Sequence, residues 1–357
     1  MAINATVIIF ILLVFLTTRR YENNRYFRYL PYIVIFLFMA GRYDYGDGIA
    51  YRQMFDYLHY GMSVPGMKLE PLYSFLNRVL PSFSAVVVVT SLIYVLAFYI
   101  IISGALTLKQ RSLALIFAVL HPYILMVDMS AIRQSVAIAL LMVGVYLANK
   151  YKAVLYIPFC IVATLFHKSA IVLLPVLFLF RKRKLAVKIK VVIMGATFFF
   201  LLAPEKLFGI INSLLKLTGL NNANYLSYLN NGYGNSIQAV ALSFVQLIFF
   251  MLCGDSVEEK NTIYVKLSVI AIVAELLQGC IQTLGRIQMY FLPFIVVSLP
   301  LILKRKEKTL KVQLFNKSYE IKNGNWIAEV CWIVVFIWKF VGFMTPRYAY
   351  RSVFTVW

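Results

Sequence analysis

Long apolar runs recur along almost the whole chain, and they constrain its fold more than any other feature. One of them, "SAVVVVTSLIYVLAFYIIISGAL" (84–106), contains no charged residue. A helix needs about 20 mostly apolar residues to cross a bilayer. With 62% hydrophobic and 14% charged residues, against about 25% charged in soluble domains, the chain is predicted to be an all-α, polytopic integral membrane protein.

Twelve segments have the composition of membrane spans, which leaves little room for a separate soluble domain. Residues 1–357 are therefore interpreted as a single polytopic membrane domain. The first segment lacks a small-residue cleavage site and is predicted to be retained rather than removed as a signal peptide. The predicted spans are 2–18, 26–41, 84–106, 112–127, 131–148, 152–166, 169–181, 187–204, 236–254, 262–282, 286–303 and 326–345.

Basic residues alternate with these spans. Every second connection between spans is rich in basic residues, and these connections together contain 23 of the 35 lysines and arginines. Six of the 23 lie in "RKRKLAVKIK" (181–190). Because cytoplasmic loops retain positive charge, these connections are placed inside and both termini outside. The formal charge of +21 then needs no nucleic-acid partner, and the chain is predicted to be a multi-pass membrane protein.

Two long connections face the outside in this topology, 42–83 and 205–235. The second begins with an amphipathic helix, "EKLFGIINSLLKL", followed by "NNANYLSYLNNGYGNS". Amide groups and tyrosine rings suit sugar binding, but the same residues occur in ordinary solvated loops, and the composition favours neither reading.

The four cysteines, Cys160, Cys253, Cys280 and Cys331, lie inside or at the ends of apolar segments and show no metal-ligand spacing. We therefore expect neither a disulfide nor a zinc site, and we predict no metal and no cofactor.

Charged residues converge on the predicted outer face. Arg133 stands out because Ser130 is a plausible helix cap, and a cation in the first helical turn opposes the helix dipole. A bound anion would reverse that effect, since helix N-termini and arginines both bind phosphate groups. The other candidates also have structural readings as snorkelling, turn-forming or helix-starting residues. They are Arg42, Asp44, Asp47, Glu70, Arg78 and His167.

A second polar group lies within the tenth span. Glu275, Gln278 and Gln282 share one helical face that leads towards Arg286. Ionisable groups in a span usually face the bundle interior or a wet cavity. This stripe is predicted to line an outward-open cavity, with hydrogen bonding between helices as the alternative.

These residue types suit glycosyl transfer from a lipid-linked pyrophosphate. That reaction needs cations for the departing diphosphate, a carboxylate or imidazole to take the acceptor proton, and a polar cleft. Arginines could neutralise the leaving group, so the predicted enzyme is metal-independent. A single displacement with one base would invert the anomeric configuration.

Five short motifs in order resemble the EpsG family of polysaccharide polymerases, which are close in role to the Wzy-type O-antigen polymerases. The resemblance runs from the second span to the eleventh. One departure is Gly48, where the family usually has Tyr after the acid, so either Asp44 or Asp47 is the matching acid. The motifs are "R-x-x-x-G-D-x-x-x-Y" (Arg42, Gly46, Asp47, Tyr51), "EPLY" (Glu70, Tyr73), "IRQSVAIAL" (Arg133, Gln134), "FHKSAIVLLP" (His167, Ser169) and "GRIQMYFLP" (Arg286, Tyr290).

The resemblance implies a polymerase with a GT-C-like architecture that lies in a bacterial cytoplasmic (inner) membrane and acts on its outer face, towards the periplasm or cell exterior. It would transfer a growing glycan from undecaprenyl pyrophosphate to the non-reducing end of a new lipid-linked repeat unit, for O-antigen lipopolysaccharide or for an exopolysaccharide. A chain-length regulator and a flippase are the implied partners. The expected catalytic residues are Glu70 or Asp47 as the general base, with His167 as the reserve candidate, and Arg133 and Arg286 are expected to hold the donor pyrophosphate. The full set of expected substrate-binding residues is Arg42, Tyr51, Tyr73, Arg78, Arg133, Gln134, Glu275, Gln278, Gln282, Arg286 and Tyr290.

Two rival functions remain open at this point. A flippase for the same lipid-linked unit would also have many spans and a cationic cavity, but it must meet its anion from both faces, and the polar groups here crowd the outer ends. A ligase that moves finished glycan to another acceptor would need the same pyrophosphate clamp, and only the motif order favours the polymerase.

Overall fold

A computed structural model describes residues 5–21, 25–43, 46–67, 69–217, 237–281, 283–303, 310–314, 317–321 and 325–343. Asp44, Gln282 and the Asn-rich stretch 221–236 lie outside these residues. The chain divides into two compact units, one formed by Met1–Phe180 with Leu299–Trp357 and the other by Arg181–Ser298.

The first unit is built mainly from helices. Its α-helices are α1 (Ala5–Tyr21), α2 (Leu30–Ala40), α3 (Gly48–His59), α4 (Pro71–Val79), α5 (Phe83–Ala105), α6 (Leu108–Leu120), α7 (Pro122–Ser130), α8 (Ile132–Lys150), α9 (Tyr156–Phe166) and, after the second unit, α15 (Asn325–Phe343). Shorter 3₁₀ segments cover Arg25–Tyr29 and Ala153–Leu155, and a longer one covers Lys168–Phe180.

The second unit is also helical. Its α-helices are α10 (Val187–Leu202), α11 (Pro204–Leu217), α12 (Ile237–Cys253), α13 (Thr262–Leu277) and most of α14 (Thr283–Leu303). Two 3₁₀ turns, Gly254–Ser256 and Glu259–Asn261, connect α12 to α13.

Four of the described helical stretches are long and apolar enough to cross a membrane. A fifth span results if α10 and the start of α11, which are bent by 106° at their junction, are counted together. Shorter apolar helices lie within other predicted spans but are too short to meet the same criterion, so the structure supports four or five of the twelve. The four long stretches are Phe83–Ala105, Ile132–Lys150, Ala239–Ser256 and Leu284–Leu303, and the shorter ones are Val7–Thr18, Phe27–Ala40, Ala153–Phe166 and Lys168–Phe180.

Helices α5, α8 and α9 form the centre of the first unit. They pack closely because small residues lie at the crossings: a Cβ on Gly104 of α5 would come within 2.2 Å of the Tyr146 ring, and one on Gly144 of α8 within 2.7 Å of Phe159 Cβ. Small residues let helix backbones approach each other in membrane proteins. The N-terminal end of α8 carries the candidate site.

The predicted span 112–127 is broken rather than continuous. Helix α6 ends at Leu120, and α7 begins at Pro122. Between them, His121 has an extended conformation with φ −90° and ψ 108°, as expected before a proline, which disfavours the helical region for its predecessor.

The predicted inside connection 304–322 contains a short hairpin that no sequence pattern predicted. Strands β1 (Leu310–Leu314) and β2 (Lys317–Ile321) pair antiparallel, in the register Leu310↔Ile321 to Leu314↔Lys317. They are the only strands in the described part of the chain.

The predicted outer connection 42–83 contains two helices, α3 and α4, which pack against each other. Helix α4 starts with Pro71 at its first position and Glu70 as N-cap, where a proline's missing N–H costs nothing. Its buried face carries Tyr73 and Asn77, four residues apart, both 0% exposed. Asn77 Nδ2 donates to the Tyr73 carbonyl at 2.7 Å.

Candidate functional site

An ion pair between Arg133 and Glu70 is the centre of the candidate site. Arg133 Nη1 donates to Glu70 Oε2 at 2.9 Å, and the two side chains are 20% and 5% exposed. Arg133 lies in the first turn of α8 and Glu70 just before α4, 63 residues apart in sequence. The carboxylate therefore compensates a cation that the helix dipole disfavours.

The cap of α8 differs from the expectation. The N-cap is Ala131, and no side chain caps it. Ser130 Oγ instead accepts a hydrogen bond from the Asp47 backbone N–H at 3.1 Å. The prediction that Ser130 caps α8 was wrong because the loop before α3 uses this hydroxyl.

Two buried tyrosines flank the Arg133 guanidinium. Its Cζ lies 5.8 Å from the ring centroid of Tyr51 and 5.8 Å from that of Tyr73. The two rings meet edge to face at 6.1 Å between centroids. Cation–π contacts of this kind favour a fixed guanidinium plane. Arg133 Nε is buried and makes no hydrogen bond to any described residue, so a donor remains for a ligand.

Glu70 is held as an anion. Its Oε1 accepts the Lys168 backbone N–H at 3.2 Å, an N–H that the start of the 3₁₀ segment 168–180 leaves without a helical partner. Burial by itself would raise the pKa of the Glu70 carboxyl, but Arg133 and backbone hydrogen bonds outweigh burial and hold the pKa below its usual range. Glu70 is consequently a weak proton acceptor at neutral pH.

His167 completes the cluster. Its Nδ1 lies 3.8 Å from Glu70 Oε1, and its side chain is 16% exposed. The residue ends α9 in an extended conformation, which directs the chain into the next 3₁₀ segment. At 3.8 Å the Glu70 carboxylate lies beyond hydrogen-bond distance of Nδ1, so its effect on the imidazole is electrostatic.

Asp47 lies at the N-cap of α3 and is exposed. Gly46 before it has φ +58°, and a Cβ there would come within 2.2 Å of Ser130 Oγ. A glycine is needed at position 46 because this loop passes so close to the end of α7 that a Cβ would clash. The motif that contains Asp47 is anchored to the end of α7, just before α8, on which Arg133 lies.

Arg42 has a different position from the ion-pair cluster. It is buried, and its Nη1 donates to Ser91 Oγ at 2.8 Å and to the Met39 carbonyl. These contacts join the end of α2 to α5. Arg78 is exposed in the last turn of α4, and Gln134 is buried in α8, next to Arg133 in sequence.

The remaining predicted site residues belong to the second unit. Glu275 is buried in α13 and accepts a hydrogen bond from Ser243 Oγ of α12 at 2.9 Å. Gln278 is half-buried just after α13, Arg286 is exposed in the first turn of α14, and Tyr290 is buried in the same helix. The Ser243 contact is the kind of helix-to-helix hydrogen bond weighed as the alternative for this stripe.

Sequence reasoning missed three participants: the Lys168 backbone N–H, Asn77 and the role of Ser130. Asn77 could have been found, since it lies four residues after Tyr73 and therefore on the same helical face. The backbone N–H carries no signal in the sequence. Within the described residues, no group of three His, Cys, Asp or Glu side chains could hold a metal ion.

Comparison with known protein families gives a match over most of the chain. The sequence model of the EpsG family matches residues 25–319. No curated protein and no solved structure matches the chain. The matched region includes the whole Glu70–Arg133–His167 cluster. The protein thus belongs to the EpsG family, whose members are membrane proteins of the polysaccharide-polymerase type.

Proposed function

We propose that this protein polymerises lipid-linked oligosaccharide repeat units on the outer face of the bacterial cytoplasmic membrane. The observation that carries the proposal is Arg133, paired with Glu70 at 2.9 Å and flanked by two tyrosines, in a chain that belongs to the EpsG family. A fixed arginine with a donor left over suits the diphosphate of a polyprenyl carrier.

In the proposed reaction, the growing glycan is transferred from undecaprenyl pyrophosphate to a new repeat unit on its own carrier. A hydroxyl oxygen at the non-reducing end of the new unit attacks the anomeric carbon of the donor. The bond from that carbon to the diphosphate oxygen breaks, and undecaprenyl pyrophosphate leaves. One displacement of this kind inverts the anomeric configuration.

We assign the leaving-group charge to arginines rather than to a metal ion. Arg133 offers its buried Nε and the rest of its guanidinium. Arg286, which is exposed at the start of α14 in the other unit, is kept as a separate candidate for substrate binding. Preorganised donors stabilise charge that develops in the transition state.

Among the three acids and bases expected, His167 is the best placed to accept the hydroxyl proton. Glu70 has Arg133 and the Lys168 N–H as hydrogen-bond donors, which stabilise its anionic form. We therefore assign Glu70 to positioning His167 and Arg133, and keep exposed Asp47 as the alternative base. A general base works best when its pKa lies near the operating pH, which favours an imidazole.

The proposed topology has about twelve spans, both termini outside and a GT-C-like architecture. It rests on the distribution of basic residues and on the helices found within the predicted spans. The site at the start of α8 then faces the periplasm or the cell exterior. A flippase would deliver the lipid-linked unit there, and a chain-length regulator would act with the polymerase.

The test is a deletion strain of the native host, restored with intact protein, Arg133→Ala or the control Arg183→Ala. Arg183 is an exposed arginine of the basic segment 181–190. We expect a surface-glycan ladder with the intact protein and the control, and only single repeat units with Arg133→Ala, at equal membrane levels of all three proteins.

Two results would contradict the proposal. If the deletion strain exported no single unit, export would be the lost step and the protein would be a flippase. If it made long glycan that stayed on the carrier, transfer of finished glycan would be lost and the protein would be a ligase.

A further inference from the structure

The chain turns sharply after α10. Helix α10 ends at Leu202, Ala203 is non-helical with φ −130° and ψ 66°, and Pro204 opens α11. Proline disfavours helical geometry in the residue before it and suits the first position of a new helix. The chain is bent by 106° between the two helices, so its direction changes by more than a right angle.

Helix α10 has the surface of a lipid-facing helix. From 191 to 202 its sequence, "VVIMGATFFFLL", has no charged residue. Val191, Val192 and Leu202 are 64%, 67% and 70% exposed within the protein, and Thr197 is its one buried residue. An apolar helix exposed on most of its surface is stable in hydrocarbon but not in water.

Helix α11 is amphipathic. At helical spacing, the letters of 204–217 separate into a polar half and an apolar half. On the polar side, Glu205, Lys206 and Ser213 are exposed. On the apolar side, Ile210 is 50% exposed and Leu207 is half-buried. Among the described residues, α11 packs mainly against α10.

We propose that α11 lies flat at the bilayer–water interface, bound to the lipid surface by its apolar side. Because α10 runs through hydrocarbon, a bend of 106° at its end directs α11 along the membrane plane. Its apolar side then continues the lipid-facing surface of α10, and Lys206 is on the side of the phosphate headgroups. Interfacial helices have this combination of a large apolar side and a charged polar side.

This inference is independent of the proposed function, since it needs only a membrane around α10. One consequence does rest on the proposed function. If residues 205–235 are an outer connection, α11 fixes its first half to the leaflet surface in which a lipid-linked substrate would diffuse.

The test uses full-length protein with its cysteines replaced, reconstituted in vesicles of phosphatidylethanolamine and phosphatidylglycerol. Single cysteines at Leu207, Ile210, Glu205 and Ser213 carry nitroxide labels. Oxygen concentrates in hydrocarbon, whereas a neutral nickel chelate stays in water. We expect the oxygen-to-nickel collision ratio to be several-fold higher for L207C and I210C than for the matched controls E205C and S213C.

Three outcomes would overturn the proposal. Labels at all four positions that collide mainly with nickel would place α11 in water. Labels at all four positions that collide mainly with oxygen would make α11 part of a broken or re-entrant span. Labels at Leu207 and Ile210 that meet neither reagent would mean that protein, not lipid, covers the apolar side. Polymerisation is not measured, so none of these outcomes bears on the proposed activity.

Discussion

Glu70 controls the electrostatics of the site because it contacts a guanidinium, a backbone N–H and an imidazole together. Its folded-state pKa lies below the ordinary value of 4.5. A lowered carboxyl pKa stabilises the folded state above the unfolded-state pKa, and this stabilisation is lost as pH falls through the folded-state pKa.

The first prediction follows from this pH dependence of the stabilisation by Glu70. Glu70→Gln should lower the unfolding free energy by roughly 1–3 kcal/mol at neutral pH, as for the loss of a hydrogen bond to a charged group. The difference between wild type and Glu70→Gln should stay constant above the ordinary carboxyl pKa and shrink below it. Thermal unfolding in detergent at stepped pH measures this. A difference that persists unchanged in acid would show that the charge of Glu70 is not what stabilises the fold.

The second prediction separates a positioning role for Glu70 from a purely structural one. If His167 accepts the proton, activity falls in acid as the imidazole becomes protonated. A nearby carboxylate charge stabilises the positively charged form of an imidazole, and the Glu70→Gln substitution removes that charge. In Glu70→Gln membranes the acidic limb of the polymerisation rate should therefore move to lower pH, and in His167→Asn the limb should disappear with most of the rate. If the acidic limb were unchanged in His167→Asn, His167 would not be the base, and Asp47 would be the remaining candidate.

At the scale of elements, the loop just before α3, which contains Asp47, contacts the end of α7 through Ser130. This contact holds the loop beside α8. The third prediction concerns Gly46, with φ +58° and a Cβ position 2.2 Å from Ser130 Oγ. Gly46→Ala should lose about 1–3 kcal/mol of stability for its backbone strain, plus a further loss for the clash, and activity should fall with it.

Gly61 supplies the matched control for that substitution. It has φ +76°, and no atom lies within 4 Å of the position that a Cβ would take there, so Gly61→Ala carries the backbone strain without the clash. Thermal unfolding of the two variants isolates the packing effect. Equal losses in both would mean that the approach of Gly46 to Ser130 contributes nothing.

The same elements show what could be predicted from the sequence. Apolar runs predicted the helices because hydrocarbon demands internally satisfied backbone groups, and "EPLY" predicted the start of α4. Residue type predicted that Glu70, Arg133 and His167 act together. Their contacts depend on how α4 packs against α8 and α9 across 63 to 98 residues of sequence, and no local pattern encodes that. The Lys168 N–H was missed for the same reason. The hairpin at 310–321 is local, and it was missed because its residues were interpreted only as part of a basic inside connection.

At the scale of the whole molecule, charge distribution is the argument for sidedness. The first long connection has Ser63 in an irregular stretch between α3 and α4, and the basic segment has exposed Lys184. The twelve-span topology puts Ser63 outside and Lys184 inside. An even number of spans between Ser63 and Lys184 would put both residues on the same side of the membrane. Either the Glu70–Arg133 pair would then face away from the substrate, or the basic segment would lie outside the cytoplasm.

The fourth prediction tests this sidedness directly. In a variant without the native cysteines, Ser63→Cys should react with a membrane-impermeant maleimide in intact spheroplasts, and Lys184→Cys should react only after the membrane is permeabilised. Positive charge is retained in the cytoplasm because its translocation is disfavoured. The "RKRK" segment should therefore stay on the cytoplasmic side of the membrane. If both variants were labelled in intact spheroplasts, the number of spans between the two positions would be even, and the predicted topology would be wrong. Both variants should restore the glycan ladder to the deletion strain, which ensures that the labelled protein is the folded, active one.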